Sequence, residues 1–163
     1  MSNKKETDLQ SFLTFKLDNE TFAVSVSKVL EIQEIRQITK VPRTPVYMRG
    51  VLNLRGSVLP IIDSKIKFGM EKTVETINSC ILVLTIRMDN EILNVGALVD
   101  SVQEVIELSE DQIGPPPSIG SKYKSEFIQA IGKVNEEFIM ILDIDKVFSS
   151  EEIMLVKETA ETI

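Results

Sequence analysis

The sequence predicts an all-β protein built as two small antiparallel barrels with a short helix at the end, and three observations point there. Apolar and polar residues alternate with period two, turn-forming residues separate the runs, and the whole pattern is written twice along the chain. At 163 residues with 43% hydrophobic content, the chain is long enough for one compact domain or two small subdomains sharing a core.

Residues 1 to 10, MSNKKETDLQ, are polar and charged; they predict a disordered tail and lack the apolar stretch of a secretory signal. Next, Leu13, Phe15 and Leu17 alternate with Thr14 and Lys16, and Phe22, Val24 and Val26 alternate with Thr21, Ala23 and Ser25. Between these runs stand Asp18 and Asn19, which tolerate the left-handed conformation of tight turns, so residues 11 to 26 predict a hairpin. A third apolar string at 27 to 32 leads into KVPRTPVYMRG, whose prolines interrupt the sheet and mark a surface connection. Two further strands, VLNLRG and SVLPIID, end the first half on Asp63 and the pair Lys65-Ile66.

The second half repeats the plan. Residues 81 to 88 and 91 to 99 flank Asp89 and Asn90 as a second hairpin, and 100 to 105 match 27 to 32 at valine, glutamate and the following β-branched residue. A second proline stretch, GPPPSIGSKYKSE, precedes FIQAIGK and EEFIMILDI, which end on Asp143 and the pair Lys146-Val147. The chain therefore reads as a degenerate duplication, 11 to 68 and 79 to 148, with five strands in each half. The continuous apolar run at 80 to 84 predicts burial on both faces, where the halves meet. Over 149 to 163 the period changes. Ile153, Val156, Ala160 and Ile163 share a helical face, and Ser149 with Glu152 has the spacing of a capping box, so a helix should pack on the barrels.

Composition excludes several functions. A formal charge of -7, from 25 acidic and 18 scattered basic residues, repels a phosphate backbone. Apolar runs such as CILVL and FIMIL have strand length, which predicts no membrane insertion and a soluble cytoplasmic protein. With no histidine in the chain, the commonest general base and the commonest nitrogen metal ligand are missing, and the lone Cys80 reads as a small buried hydrophobe. Asp63 and Asp143, at equivalent places in the halves, suggest a shared-proton carboxylate pair. Neither stands in an Asp-Thr/Ser-Gly turn, so capping of short turns or helices is the favoured reading.

The duplication and the segment GVLNLRGSVLPIIDSKIKFG resemble the bacterial CheW family of chemotaxis coupling proteins. The resemblance rests on Asn53, Leu54, Arg55, Gly56, Pro60, Ile61 and Asp63, supported by Val29, Glu31 and Ile32 and by EDQIGPPP in the second half. It implies two intertwined five-stranded SH3-like barrels and a scaffold with no cofactor and no catalysis, monomeric on its own. It also implies two partners: the regulatory domain of the histidine kinase CheA, and the helical cytoplasmic tip of methyl-accepting chemoreceptors, to whose membrane-associated arrays the protein is recruited.

Mapped onto this sequence, the family's receptor groove lies between the barrels at Val29, Glu31, Gly50, Asn53, Arg55, Val102 and Val105. Alternation independently leaves Val105 on an outward strand face with Gln103 and Glu107. Arg55 is expected to pair with Glu31 in a partly buried bridge that fixes the groove. Kinase contacts are expected at the barrel ends: Gly114, Pro115 and Ile119 in the second half, and Leu13, Val41, Pro42 and Tyr47 in the first. Two alternatives stay open, a CheV-like or kinase-derived regulatory module and a small-barrel RNA-binding protein; two tyrosines, no tryptophan and net negative charge disfavour the latter.

Overall fold

The computed structural model describes residues 9–88, 90–116 and 127–161. Its strands are β1 (Gln10–Leu17), β2 (Glu20–Ser25), β3 (Val29–Glu34), β4 (Met48–Leu54), β5 (Ser57–Asp63), β6 (Cys80–Met88), β7 (Glu91–Val99), β8 (Ser101–Leu108), β9 (Ile113–Gly114), β10 (Ile128–Val134) and β11 (Glu137–Leu142). Two helices, α1 (Ser64–Lys67) and α2 (Ser150–Glu161), complete it. Of the expected tail, residues 1 to 8 lie outside the described residues, and Gln10 already belongs to β1.

The strands form two curled sheets, ordered β8-β1-β2-β11-β10-β9 and β3-β6-β7-β5-β4. Each sheet takes a hairpin from the other half of the chain: β1 and β2 complete the second-half sheet, and β6 and β7 complete the first-half sheet. The expected intertwining is this exchange. It also corrects the expectation of wholly antiparallel barrels, because each borrowed hairpin is antiparallel to its host sheet on one side and parallel to it on the other. Ile61 lies beside Gly96 at one parallel junction and Ile141 beside Ala23 at the other. The two-residue β9 is an addition that the reading of five strands per half did not contain.

Period-two alternation serves two cores at once. On β6, Ile81 and Val83 point into the curl of their own sheet with Leu52, Leu59, Ile61 and Leu98. Their neighbours Leu82, Leu84 and Ile86 point the other way, into the larger core between the sheets, where Leu13, Phe15, Leu17, Phe22 and Phe68 also lie. A third cluster around Phe12, Leu108 and Ile141 fills the other curl. A continuously apolar strand is thus a strand with two dry faces, as expected for 80 to 84, although Cys80 itself is only partly buried.

The tight turns carry the left-handed residues that two-residue hairpins demand. Arg55 and Gly56 have φ of 52° and 84° between β4 and β5, and Asn135 and Glu136 have 49° and 69° between β10 and β11. Asp63 and Asp143 act as caps. Asp63 Oδ1 accepts from the backbone N–H groups of Lys65 and Ile66, and Asp143 Oδ1 from that of Asp145. The Ser149–Glu152 capping box opens α2 as expected, at 2.9 and 3.1 Å, and Ile153 and Val156 are its buried residues. Ile163, assigned to the same face, lies outside the described residues.

Candidate functional site

An exposed apolar row runs along the edge strand β3. Leu30 and Ile32 face outward at 55% and 46% exposure, while Val29, Glu31 and Gln33 face inward and are half-buried. Soluble proteins rarely leave such a row on a free edge unless something docks there. Sequence reasoning missed Leu30 and Ile32, since period two alone assigns a strand's apolar residues to the core.

Beside this edge stands the β4–β5 turn. Arg55 donates to both carboxylate oxygens of Glu31, Nη1 to Oε2 at 2.6 Å and Nη2 to Oε1 at 2.9 Å, and Gln33 Nε2 also donates to Oε1. Those two donors hold the Glu31 carboxyl below its ordinary range, Arg55 first and Gln33 second. The expected pair is present but not in the expected setting, because the Arg55 side chain is 70% exposed and that of Glu31 25%. A bridge so open to water is not a buried lock. What it does is steer a guanidinium, already displayed by its turn, along the apolar edge.

The other receptor candidates divide by role. Asn53 accepts the Gly56 N–H on its Oδ1 at 3.0 Å, shaping the turn that displays Arg55. Gly50 is buried, not superficial: a Cβ there would meet the Thr39 carbonyl oxygen at 2.2 Å. Its lack of a side chain lets the connection at Ile38 and Thr39 lie directly against β4. Val105 on β8 is 59% exposed, as expected, whereas Val102 is half-buried and packs on the inter-sheet core that Val29 also touches. Strands β3 and β8 are the corresponding edges of the two sheets.

A second surface lies at the far edge of the six-stranded sheet. Gly114 and Pro115 line a shallow groove of ≈ 380 Å³ with Ile113, Ile131, Lys133 and Phe138. Phe138 is 67% exposed, a large aromatic face open to water. It belongs to the same strand face as Met140 and the buried Leu142, so the run FIMIL hid it among core residues. Ile119 lies outside the described residues.

The first-half kinase candidates need correction. Leu13 is a core residue, paired with Val24 and Val105 on either side, and offers no surface. Val41 packs on the inter-sheet core and Pro42 is exposed. Tyr47 anchors α2: its ring is tilted against Phe148 at 5.8 Å, and Lys67 Nζ lies 5.2 Å from its centroid. The Tyr47 hydroxyl is buried with no hydrogen-bond partner among the described residues, a cost that phenylalanine would avoid. Burial first, and the nearby Glu152 carboxylate second, push this hydroxyl up to about 12 from 10.0. Tyr47→Phe is therefore expected to raise the urea midpoint near neutral pH. Since the folded hydroxyl holds its proton more tightly than the unfolded one, the wild type should lose stability as pH rises from about 10 to about 12. The variant should lose that part of the decline, which chemical denaturation across the alkaline range measures.

The arrangement offers little to catalysis. Asp63 and Asp143 end strands of different sheets and each caps its own chain segment. No cluster of three or more potential metal ligands occurs among the described residues. Nor is any described helix long and apolar enough to cross a membrane.

Comparison with known proteins agrees with this geometry. The CheW-like domain family matches residues 11–152. The chain is 36% identical over 157 residues to the chemotaxis protein CheW of Klebsiella aerogenes, covering 96% of this chain and 92% of that one. It is 32% identical over 143 residues to the chemotaxis protein CheW of Rhizobium meliloti, covering 88% and 90%. Among solved structures, the scaffolding protein TtCheW of Thermoanaerobacter tengcongensis superposes with a TM-score of 0.78 at 31% identity, over 88% of this chain and 94% of that one. With the family model spanning most of its length and relatives at up to 36% identity over most of both chains, this chain belongs to the CheW-like family.

Proposed function

We propose that this chain is a non-catalytic chemotaxis adaptor that couples the histidine kinase CheA to the cytoplasmic tips of methyl-accepting chemoreceptors, working in the cytoplasm within receptor arrays. The observation that carries the reading is the presence of two separate exposed apolar surfaces on one double barrel: the β3 edge beside Arg55, and the groove beneath Phe138. A scaffold acts by holding two partners in a fixed relation, so it needs two docking faces and no chemistry of its own. The β3 edge suits a helical receptor tip. Leu30 and Ile32 supply apolar anchors, and the Arg55 guanidinium supplies a charged rim. Gly114, Pro115 and Phe138 suit a barrel end of the kinase regulatory domain.

Titration calorimetry against each partner tests this division. Arg55→Ala should abolish or strongly weaken receptor-tip binding while kinase binding persists, and Phe138→Ala should do the reverse. Urea unfolding should find both variants close to wild type, because both side chains are exposed. Absence of heat with either partner for the wild type would sink the adaptor reading, and loss of both interactions in one variant would sink the division of surfaces.

A further inference from the structure

Charge is distributed unevenly along this chain. Residues 35 to 62 hold five of its 18 cations, Arg36, Lys40, Arg43, Arg49 and Arg55, and none of its 25 acids. Two of the five are committed within the fold, Arg49 to Asp63 and Glu75, and Arg55 to Glu31. The other three stand on the connection from β3 to β4, where all are exposed and none forms an ion pair among the described residues.

This connection is anchored along its length. Ile35 and Ile38 pack into the curl of the first sheet, Val41 packs on the inter-sheet core, and Thr39 exchanges hydrogen bonds with Val51 of β4. With 35, 38 and 41 turned inward, Arg36, Lys40 and Arg43 are left outward as one ridge running antiparallel to β4. At its beginning, Arg36 lies two residues past the end of β3, close enough to Glu31 to help, behind Arg55 and Gln33, in lowering that carboxyl's proton affinity. At its end, Arg43 occupies a tight turn in which Thr44 Oγ1 donates to the Val41 carbonyl at 3.1 Å. Arg43 has a φ of 62°. It follows Pro42 at the turn position that ordinarily takes glycine or asparagine, because other side chains are strained there. Arg55 is held in the same left-handed region, at 52°. Two exposed arginines in such turns on one barrel burden the fold in a way glycine would relieve, and strain of this kind gathers at functional surfaces.

We propose that this ridge is the electrostatic half of the β3 docking face, and that its occupant is an amphipathic helix with carboxylates along the flank of its apolar stripe. The inference rests on the receptor reading of that face and adds which receptor helices it selects. The stripe lies on Leu30 and Ile32, and the acidic flank meets Arg36, Lys40 and Arg43. Continuity assigns the ridge to this partner and not to the kinase, since it begins where β3 ends, whereas Gly114 and Phe138 belong to the other sheet. On a chain of net charge -7, a confined basic ridge draws an acidic partner to one face while the rest of the surface repels it, so it acts chiefly on the rate of encounter.

The test follows association of the full-length chain with a helical chemoreceptor tip fragment and, separately, with the kinase regulatory domain, comparing wild type with the combined variant Arg36→Gln, Lys40→Gln, Arg43→Gly. At low salt the variant should bind the tip about tenfold more slowly. Its rate should stay nearly flat up to ~1 M salt, where the screening length is about 3 Å and the wild type has slowed to match it. A tip fragment whose flanking carboxylates are changed to amides should slow the wild type by a similar factor and the variant hardly further. Kinase binding should be unchanged, and the variant should hold or raise the urea midpoint, since glycine removes the strain at 43. The ridge is overturned if the variant keeps the wild-type rate and salt dependence, if the loss falls on the kinase, or if slower binding comes with a lowered midpoint. A wild type that does not bind the tip at all would instead overturn the receptor reading, and this inference with it.

Discussion

Gly50→Ala is expected to remove about 3–5 kcal/mol of stability, combining overpacking with backbone strain. The added methyl would lie 2.2 Å from the Thr39 carbonyl oxygen and 2.9 Å from the Ile38 Cγ2, and the residue's φ of +145° is one that side chains rarely adopt. The neighbour is backbone, fixed by paired hydrogen bonds from Thr39 N to Val51 O at 2.9 Å and from Val51 N to Thr39 O at 2.8 Å, so it cannot swing aside. Against a typical domain stability of 5–15 kcal/mol, the loss takes a large share of the margin, so the melting temperature and the soluble yield should both fall. Thermal unfolding and soluble yield check this. The outcome bears on function, because a receptor-binding defect in any Gly50 variant would then report damage to the packing of Ile38 and Thr39 on β4, not a lost contact. A Gly50→Ala protein as stable as wild type would return Gly50 to the list of docking residues.

Asp63→Ala should be comparably severe, about 3–5 kcal/mol, since breaking a buried ionic network strands its remaining members. The carboxylate is fully buried and crowded with donors: the N–H groups of Lys65 and Ile66, the Thr73 N–H at 2.9 Å, the Thr73 hydroxyl at 2.7 Å, and Arg49 Nη1 at 3.4 Å. Alanine would leave three backbone donors without their acceptor and a half-buried guanidinium with only Glu75 and the Thr73 carbonyl. Asp63→Asn keeps the shape and one acceptor oxygen, so it should fall between. Urea unfolding of the pair separates the cap from the charge. A wild-type midpoint for Asp63→Ala would show that this network contributes nothing to folding.

What the sequence made legible was local. Hairpin turns, the caps at Asp63 and Asp143 and the Ser149–Glu152 box involve residues a few positions apart, whose chemistry dictates geometry directly. The duplication was legible too, and with it the correspondence of Val29 with Val102. The parallel junctions were not, because nothing near Ile61 specifies Gly96 as its neighbour. Burial was the weakest inference. Leu13 and Phe138 both sit in apolar strands, yet one is in the core and the other faces water. The Arg55–Glu31 pair shows the same limit, since complementary charge foretold the contact and only the fold could set its exposure. Tyr47 lies within the proline-bearing stretch and was expected at a barrel end as a kinase contact, but its ring packs against Phe148 and beneath the Lys67 ammonium.

Because each sheet borrows a hairpin from the other half, the protein cannot be made one barrel at a time. β1 must wait for β8, as Thr14 Oγ1 donating to the Glu104 carbonyl 90 positions along the chain illustrates, and β2 must wait for β11. At a synthesis rate of ~5–20 residues per second, β1 and β2 emerge from the ribosome seconds before β8 and β11, the strands that flank them in the sheet, exist. Through that interval Leu13, Phe15 and Phe22 lack the second-half residues, among them Leu82, Leu84 and Leu142, that complete their core. The nascent chain should therefore be most vulnerable to aggregation and proteolysis until β11 is released, and translation pauses before that point should cost yield more than pauses after it.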